Sequence, residues 1–253
     1  MEIKKCKAVI TGGASGLGEA CIRSIVKGGG CAAILDLQDE KGNELSKEMG
    51  DSALYINTDV SSEKSVRTAI KKATDKFNGV NVAINCAGIG GSRKVLSKEG
   101  PMPLEFFKQK IQVNLVGTMS VLIEAAEQMA KNTPNEEGER GIIINTSSGA
   151  AFQGQKGQSA YSASKAGILG ISLPIAREFG RIGIRIMAIA PGIFETAMFK
   201  RVPNDVQEKL ATMVPFPKRM GRPDEFAKLA LHIIENTYLN GDFIKLDGGL
   251  RLF

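Results

Sequence analysis

Three side chains in the second half of the chain have the types and spacing needed for acid–base chemistry on a substrate oxygen. Tyr161 and Lys165 are four residues apart in YSASK, which places both on one face of a helix. A phenol with an ordinary pKa of about 10 is a poor base at neutral pH, and a nearby ammonium lowers that pKa. Ser148 stands thirteen residues before Tyr161, where its hydroxyl would hydrogen-bond the reacting oxygen. Although YxxxK alone is common on protein surfaces, the three residues together predict proton transfer.

A glycine-rich segment, TGGASGLG, follows the first apolar run of the chain. Gly12, Gly16 and Gly18 would let the backbone approach a pyrophosphate, whose charge is stabilised by free N–H groups at a helix N-terminus. Such turns also occur without a ligand, so the argument depends on Asp36, which ends the second apolar run. Its carboxylate would bind both ribose hydroxyls of adenosine and repel a 2′-phosphate, and Leu37 brings no compensating charge. NAD is predicted rather than NADP.

A second acidic position follows the third apolar run. Asp59 and Val60 would contact the adenine if the site extends that far. For an isolated aspartate, a helix N-cap is the simpler interpretation, and Asp59 precedes a segment of helical spacing that contains Val66. Both interpretations stay open on the sequence alone.

The elements that would position these residues alternate along the chain. Apolar positions at helical spacing mark helices over residues 17–25 and 66–77, and several β-rich runs are apolar on consecutive residues, as in strands buried on both faces. The predicted strands are 8–11, 32–36, 53–57, 80–85, 142–146, 184–190 and 243–246. This order predicts an α/β fold, a Rossmann-like doubly wound parallel sheet of about seven strands with helices on both faces, in a single domain over residues 1–253.

Two polar segments interrupt this alternation. Residues 90–103 follow the fourth predicted strand, so they are expected to border a site at the carboxyl ends of the strands. Residues 131–141 precede the fifth strand and are expected to form a surface or contact loop.

The composition is that of an ordinary globular protein. Hydrophobic residues make up 43% of the 253 residues and charged residues 24%, and no apolar run approaches the length of a membrane span. The net charge of +6 is spread along the chain, so no nucleic-acid partner is predicted, although the surplus would suit a phosphate-bearing substrate. Four cysteines without CxxC spacing predict reduced core thiols, and hence the cytoplasm, or mitochondria with an uncleaved signal. With His232 as the lone histidine, no metal site is predicted.

The whole pattern resembles the short-chain dehydrogenase/reductase family. The matching motifs, in chain order, are TGGASGLG, NCAG at 85–88, Asn114 in IQVNLVG, Ser148 in INTSSG, YSASK and PGIFET at 191–196. They cover nearly the entire chain. Cys86 stands where the family often has a second asparagine, which is a mild departure because Asn85, Ala87 and Gly88 remain.

This resemblance implies a role for each matched residue. Tyr161 would be the catalytic acid and base, Ser148 would orient the substrate oxygen, and both would contact the substrate. Lys165 would bind the nicotinamide ribose, and Asn114 would hold a water of the proton relay. The spacing to Tyr161 selects Ser148 over the adjacent Ser147. The predicted cofactor contacts are Gly12, Ser15, Gly16, Leu17, Gly18, Asp36, Asp59, Val60, Asn85, Ala87, Gly88, Tyr161, Lys165, Pro191, Gly192, Ile193, Phe194 and Thr196.

The second half, through LNGDFIKLDGGLR, is similar to family members that oxidise 3-hydroxyacyl-CoA to 3-oxoacyl-CoA with NAD. The alternatives are a hydroxysteroid dehydrogenase, a 3-oxoacyl-[acyl-carrier-protein] reductase, and an NAD-sensing module without catalysis. Substrate choice would lie in residues 197–218, where Met198, Phe199, Met213 and Phe216 would form an apolar lid or pack in the core. The apolar tail 243–253 and the resemblance predict a homotetramer, with core packing within one chain as the alternative.

Overall fold

The computed structural model describes residues 1–196, 199 and 210–251, and a seven-stranded sheet runs through its centre. The strands are β1 (Lys7–Thr11), β2 (Cys31–Asp36), β3 (Ala53–Asn57), β4 (Val82–Asn85), β5 (Leu96–Ser97), β6 (Gly100–Pro101), β7 (Gly141–Thr146), β8 (Ile184–Pro191) and β9 (Phe243–Leu246). The sheet has the order β3-β2-β1-β4-β7-β8-β9, and each neighbouring pair is parallel. The predicted Rossmann-like fold is confirmed.

Helices cover both faces of this sheet. They are α1 (Gly16–Lys27), α2 (Asp39–Met49), α3 (Glu63–Phe77), α4 (Leu104–Ile111), α5 (Gly117–Met129), α6 (Ala150–Gln153), α7 (Ser159–Phe179) and α8 (Pro223–Glu235). Between α4 and α5, Gln112–Val116 form a turn of π-helix. Because a parallel strand must be followed by a crossover, each long helix returns the chain to the amino-terminal edge of the sheet.

The core has two layers because side chains alternate across the strands. Ile10, Ile34 and Ile84 are in register on neighbouring strands and pack with α1 and α8 on one face. Val9 and Ala83 point to the other face, where they pack with α3, α5 and α7. All five of these side chains are fully buried. A strand buried on both faces needs apolar residues at consecutive positions, which explains the uninterrupted apolar runs of the sequence.

The strand order reverses between β1 and β4. β1 is followed along the chain by β2 and β3 on one side of the sheet, and β4 is followed by β7, β8 and β9 on the other. The chain leaves these two strands in opposite directions, which opens a crevice beyond their carboxyl ends at Thr11 and Asn85. Ligands bind at this position in open α/β sheets.

Both predicted interruptions contain more structure than expected. Residues 90–103 include the antiparallel hairpin β5–β6, in which Leu96 pairs with Pro101. The loop 131–141 is not only surface, because the side chain of Glu139 is buried and Oε1 accepts hydrogen bonds from the equally buried Arg185 at the start of β8. The Arg185 guanidinium also donates to the Ile233 and Ile234 carbonyls at the end of α8. The loop therefore anchors the amino-terminal edge of the sheet.

Other expectations concern single residues. Cys6 and Cys21 are buried free thiols, while Cys31 and Cys86 are free and partly buried. His232 lies in α8 and is exposed, as predicted for a surface histidine. Within the described ranges, no helix is long and apolar enough to cross a bilayer, and no His, Cys, Asp and Glu cluster suits a metal ion.

Candidate active site

The glycine-rich turn brings β1, α1 and the turn after β4 into close contact. Gly12 has a φ of +64°, and a Cβ on it would lie 2.9 Å from the Ala87 nitrogen. A Cβ on Gly18 would collide with the Gly12 carbonyl, so α1 can pack this closely only with glycine there. Ser15 precedes α1 in an extended conformation and makes no side-chain cap, and Leu17 packs against the core. The first-turn N–H groups of α1 are therefore left for an anionic ligand.

Asp36 is held against this turn at the end of β2. One carboxylate oxygen accepts a hydrogen bond from the Ala14 nitrogen at 3.1 Å, and the other accepts one from the Gln38 nitrogen at 3.1 Å. A second carboxylate, Asp39, follows at the start of α2, and the sequence analysis did not identify it. Asp39 Oδ1 lies 2.8 Å from the Tyr55 hydroxyl, and that hydroxyl lies 3.0 Å from the Asp36 carbonyl oxygen. Two negative charges thus lie at this end of the crevice.

The turn after β4 is fixed by β1. Thr11 Oγ1 accepts a hydrogen bond from the Ala87 nitrogen at 3.1 Å and lies 3.5 Å from Asn85 Oδ1. Asn85 Nδ2 donates to Asn145 Oδ1 on β7 at 2.9 Å, so a polar row crosses three strands beneath the crevice. The fully buried Asn145 Nδ2 has no hydrogen-bond partner among the described residues. Gly88 continues the turn next to the side chain of Asn114.

Asn114 lies in the π-helical turn and is fully buried. Its Oδ1 accepts a hydrogen bond from the Ile89 nitrogen at 2.8 Å, while Nδ2 donates to the Ile89 carbonyl and to Ser164 Oγ, each at 3.1 Å. Both N–H bonds of the amide are used. Any water that Asn114 holds would therefore donate to one of its oxygens, either Oδ1, which accepts one hydrogen bond, or the main-chain carbonyl, which already accepts the Thr118 hydroxyl at 2.8 Å.

The two neighbouring serines after β7 have different surroundings. The buried Ser147 hydroxyl donates to the Lys165 carbonyl at 2.8 Å, which ties β7 to α7. The Ser148 hydroxyl accepts from the Ala150 nitrogen at 3.1 Å and hydrogen-bonds the Tyr161 side chain. The structure thus brings Ser148, and not Ser147, to the phenol.

The pKa values of Tyr161 and Lys165 are shifted mainly by burial. Burial raises the pKa of the Tyr161 phenol, and the hydrogen bond from Ser148 partly offsets this. The lowering expected from the ammonium is not seen, because Lys165 Nζ lies 5.9 Å from the centre of the Tyr161 ring and donates to the Thr146 carbonyl at 2.8 Å. Burial also lowers the pKa of Lys165 to about 8. Removing charge from water costs free energy at both groups.

The segment after β8 closes the crevice from the opposite side. A Cβ on Gly16 would lie 3.3 Å from Thr196 Cγ2, so this segment faces the glycine-rich turn. Its backbone is held in place by the Ile193 carbonyl, which accepts from the Gly221 nitrogen at 2.9 Å, and by the ring of Phe194, which packs edge-on against Phe226. Pro191 ends β8, and the Gly192 nitrogen donates to the Leu246 carbonyl on β9 at 2.9 Å.

The remaining predicted residues have mixed outcomes. Asp59 is not the N-cap of α3. That position is Ser62, whose hydroxyl accepts from the Ser65 nitrogen, while the Asp59 carboxylate accepts from the Ser61 nitrogen at 2.9 Å. Asp59 is three residues too early, and its side chain stabilises the preceding turn instead. Val60 is 8% exposed and packs against α5.

In the lid region, Met213 is partly buried, Phe216 is 83% exposed, and Met198 lies outside the described residues.

The residues present fit a dinucleotide. The glycine-rich turn leaves backbone room at the N-terminus of α1, Asp36 is fixed beside it, and the Lys165 ammonium keeps two N–H bonds after its contact with Thr146. The sequence analysis missed Thr11, Asn145 and Thr146, since their contribution is a contact between distant segments that leaves no local pattern.

The sequence profile of the short chain dehydrogenase family matches residues 6–207, and the chain belongs to this family. It is a dehydrogenase that uses a nicotinamide cofactor.

Individual relatives align over almost their full length. The chain is 49% identical to 3-hydroxyacyl-CoA dehydrogenase type-2 of Homo sapiens, over 99% of this chain and 97% of that protein. It is 35% identical to ipsdienol dehydrogenase of Ips pini, over 99% of both chains. The crystal structure of 3-hydroxyacyl-CoA dehydrogenase type-2 from Mycobacterium avium superposes with a TM-score of 0.92 at 38% identity, and the match covers 97% of this chain and 96% of that one.

Proposed function

We propose that this protein oxidises 3-hydroxyacyl-CoA thioesters to 3-oxoacyl-CoA, reversibly, with NAD. The observation that carries the chemistry is the contact of Ser148 with Tyr161 beside the Lys165 ammonium, at the carboxyl ends of the strands. The substrate class rests on the relatives named 3-hydroxyacyl-CoA dehydrogenase type-2, of which five align at 46–49% identity.

In this mechanism each side chain acts on the substrate hydroxyl or on its proton. Tyr161 accepts the hydroxyl proton as the alcohol is oxidised, and it returns a proton in the reverse direction. The Ser148 hydroxyl hydrogen-bonds the substrate oxygen and keeps it next to the phenol. Lys165 holds a ribose hydroxyl with the N–H bonds that Thr146 leaves. When bound, the nicotinamide cofactor supplies the hydride acceptor.

NAD is proposed over NADP because of the charge at the end of β2. Within the described part of the chain, Asp36 forms no ion pair, and Asp39 stands three residues later with its carboxylate fixed by Tyr55 and Asn57, both at 2.8 Å. These hydrogen bonds lower the pKa of Asp39, so the carboxylate is ionised at neutral pH. A 2′-phosphate in this region would meet two negative charges.

The test is the variant Tyr161→Phe with NAD and 3-hydroxybutyryl-CoA. We expect NADH formation to fall by at least about a hundredfold, since a general acid or base contributes on that order, while NAD still binds. Ser148→Ala is expected to reduce kcat similarly. Undiminished turnover in Tyr161→Phe would contradict the assignment, and lost NAD binding would show that the variant is misfolded.

The alternative substrates are distinguished by measuring kcat/KM of the wild-type protein for each substrate class. We expect kcat/KM to be highest for the CoA thioester, lower for a hydroxysteroid, and lowest for the same acyl group on acyl carrier protein. A higher value for steroid or carrier protein would replace the substrate assignment but keep the chemistry. No turnover of any secondary alcohol would favour a non-catalytic NAD-binding protein.

The protein is also proposed to be a homotetramer. Apolar side chains on α5 and α7 stay exposed in the single chain, with Ile123 53% exposed and Leu173 47% exposed. In the predicted tail, Leu250 is buried within its own chain, which supports core packing there, while residues 252 and 253 lie outside the described part.

The free thiols support a reducing compartment such as the cytoplasm, which cell fractionation would test.

A further inference from the structure

Lys110, on α4, is buried without an anionic partner. The residue is 5% exposed, and within the described part of the chain no carboxylate lies within salt-bridge distance of Nζ. Its one contact of note is the Phe106 ring, with Nζ 4.5 Å from the ring centre. Burial lowers the pKa of this ammonium. Keeping a charge here costs free energy that the fold does not recover from any described residue.

Lys110 borders the active-site crevice. A Cβ on Gly91 would lie 3.9 Å from Nζ, so the ammonium is next to the loop that continues the turn after β4. One helical turn further on from Lys110, Asn114 bonds to Ile89 in the same loop. Nζ has no hydrogen-bond partner among the described residues and is absent from the fully enclosed atoms without one, so a small part of its surface faces solvent.

Two more cations flank the same loop. The Arg93 nitrogen donates to the Gly157 carbonyl at 2.8 Å, so the backbone at Arg93 lies next to residue 157. Lys156 directly precedes Gly157 and stands five residues before Tyr161. Both side chains are exposed, and neither forms an ion pair with any described residue. In contrast, Lys108 on α4 is neutralised by Glu105 at 2.8 Å.

We propose that Lys110, Arg93 and Lys156 form a binding site for the phosphate groups of the CoA portion of the substrate. Phosphate oxygens would give the Lys110 ammonium the anionic partner that it lacks, and Arg93 and Lys156 would hold the same group at the rim. The acyl end would lie at Tyr161, and the chain between the thioester and the phosphates would run along the loop 88–93. The inference rests on the proposed function, because it assigns the CoA portion of that substrate.

The test compares two thioesters of the same acyl group, 3-hydroxybutyryl-CoA and 3-hydroxybutyryl-pantetheine, which carries no phosphate. In Lys110→Met, KM for the CoA thioester is expected to rise about tenfold relative to KM for the pantetheine thioester, the effect of losing one charge-assisted hydrogen bond. Arg93→Met should shift the same ratio in the same direction, and Lys110→Arg should restore most of it. Lys27→Met, an exposed lysine at the far end of α1, removes the same charge and should leave the ratio as in the wild type.

An unchanged ratio in both Lys110→Met and Arg93→Met would overturn the proposed site. If Lys110→Met does not fold, Arg93→Met tests the site alone, because the Arg93 side chain is exposed and its replacement should not disturb the fold. If the wild type turns over neither thioester, the proposed function fails, and calorimetry with free CoA then tests the site alone. Weaker CoA binding in the variants but not in Lys27→Met would support the site, and equal or absent binding would reject it.

Discussion

At the scale of single residues, the side chains proposed for catalysis are positioned by burial and by contacts with the backbone. Burial raises the pKa of Tyr161, so the phenol is uncharged at neutral pH. The Lys165 ammonium is held by the Thr146 carbonyl before any substrate binds. A neutral phenol is the proton donor for ketone reduction, whereas alcohol oxidation needs the phenolate. The two directions should therefore respond oppositely to pH.

We expect kcat/KM for alcohol oxidation to rise with pH from neutral to alkaline conditions. The raised pKa of Tyr161 keeps the phenol protonated at neutral pH, so the basic form grows as the pH increases. Lys165→Met should leave the position of this rise close to that of the wild type, because Lys165 Nζ lies 5.9 Å from the centre of the Tyr161 ring and donates to the Thr146 carbonyl instead. The measurement is a pH–rate profile from pH 6 to 10 for both proteins. A rise that moves to higher pH by about one unit or more in Lys165→Met would show that the ammonium does lower the pKa of Tyr161.

Cofactor choice is also a property of single residues. We expect Asp36→Asn to gain little activity with NADP, because the Asp39 carboxylate remains, while the double change with Asp39→Asn gains about tenfold more in kcat/KM. Glu44→Gln removes an exposed carboxylate one turn further along α2 and serves as the control. The ratio of kcat/KM for NADP to that for NAD is measured in each variant. If the single and double variants give equal ratios, Asp39 has no part in selection.

At the scale of elements, the site depends on how closely α1 packs against the end of β1. Gly18→Ala would push its methyl group into the Gly12 carbonyl, so we expect α1 to shift and the Kd for NAD to rise at least about tenfold. Gly180→Ala is the matched control, since its φ is −55° and no atom lies within 4 Å of the added Cβ. The measurement is NAD titration by fluorescence together with the melting temperature. Wild-type affinity in Gly18→Ala would show that the turn tolerates a side chain.

The sequence predicts the elements well because their signals are local. Consecutive apolar residues mark the buried strands, and Asp36 and Tyr161 stand at fixed distances from them. Asp39 and Lys110 could not be found in this way. The Asp39 carboxylate is held by Tyr55 on β3, and the loop at Gly91 lies against the Lys110 side chain, so both positions depend on contacts between distant segments. The N-cap of α3 is Ser62 and not Asp59, because the local sequence does not fix the length of the loop before this helix.

At the scale of the whole molecule, the network at the amino-terminal edge of the sheet joins β8, α8 and the loop before β7. The Arg185 guanidinium is buried, and Glu139 is its carboxylate partner at 2.8 Å. Removing one member of a buried ion pair leaves the other charge uncompensated. Loss of either residue should therefore lower the stability of the fold without changing the site, since the network lies at the edge of the sheet opposite to Tyr161.

We expect Glu139→Gln to lower the free energy of unfolding by about 3 kcal/mol while kcat stays near the wild-type value. Glu137→Gln, an exposed change in the same loop, should have little effect. Urea unfolding at one fixed protein concentration gives the free energies, because association would otherwise contribute. Equal stability of the two variants would show that the buried pair is not needed.

Assembly is the second property at this scale. We expect the wild type to sediment as a tetramer at micromolar concentration, and the double change Ile123→Glu and Leu173→Glu to give smaller species, because both apolar side chains are exposed in the single chain. Glu139→Gln in the folded state should sediment like the wild type. A monomeric wild type would reject the homotetramer.

The parallel sheet separates the anchoring pair from the reactive groups by the full length of the strands. The hairpin β5–β6 belongs to the reactive edge and is tied to the body by few contacts, such as the Arg93 bond to Gly157. This makes the protein a suitable host for loop grafting. Exchanging residues 94–102 for a segment of another length would alter which molecules enter the crevice, while Arg185 and Glu139 keep the host folded.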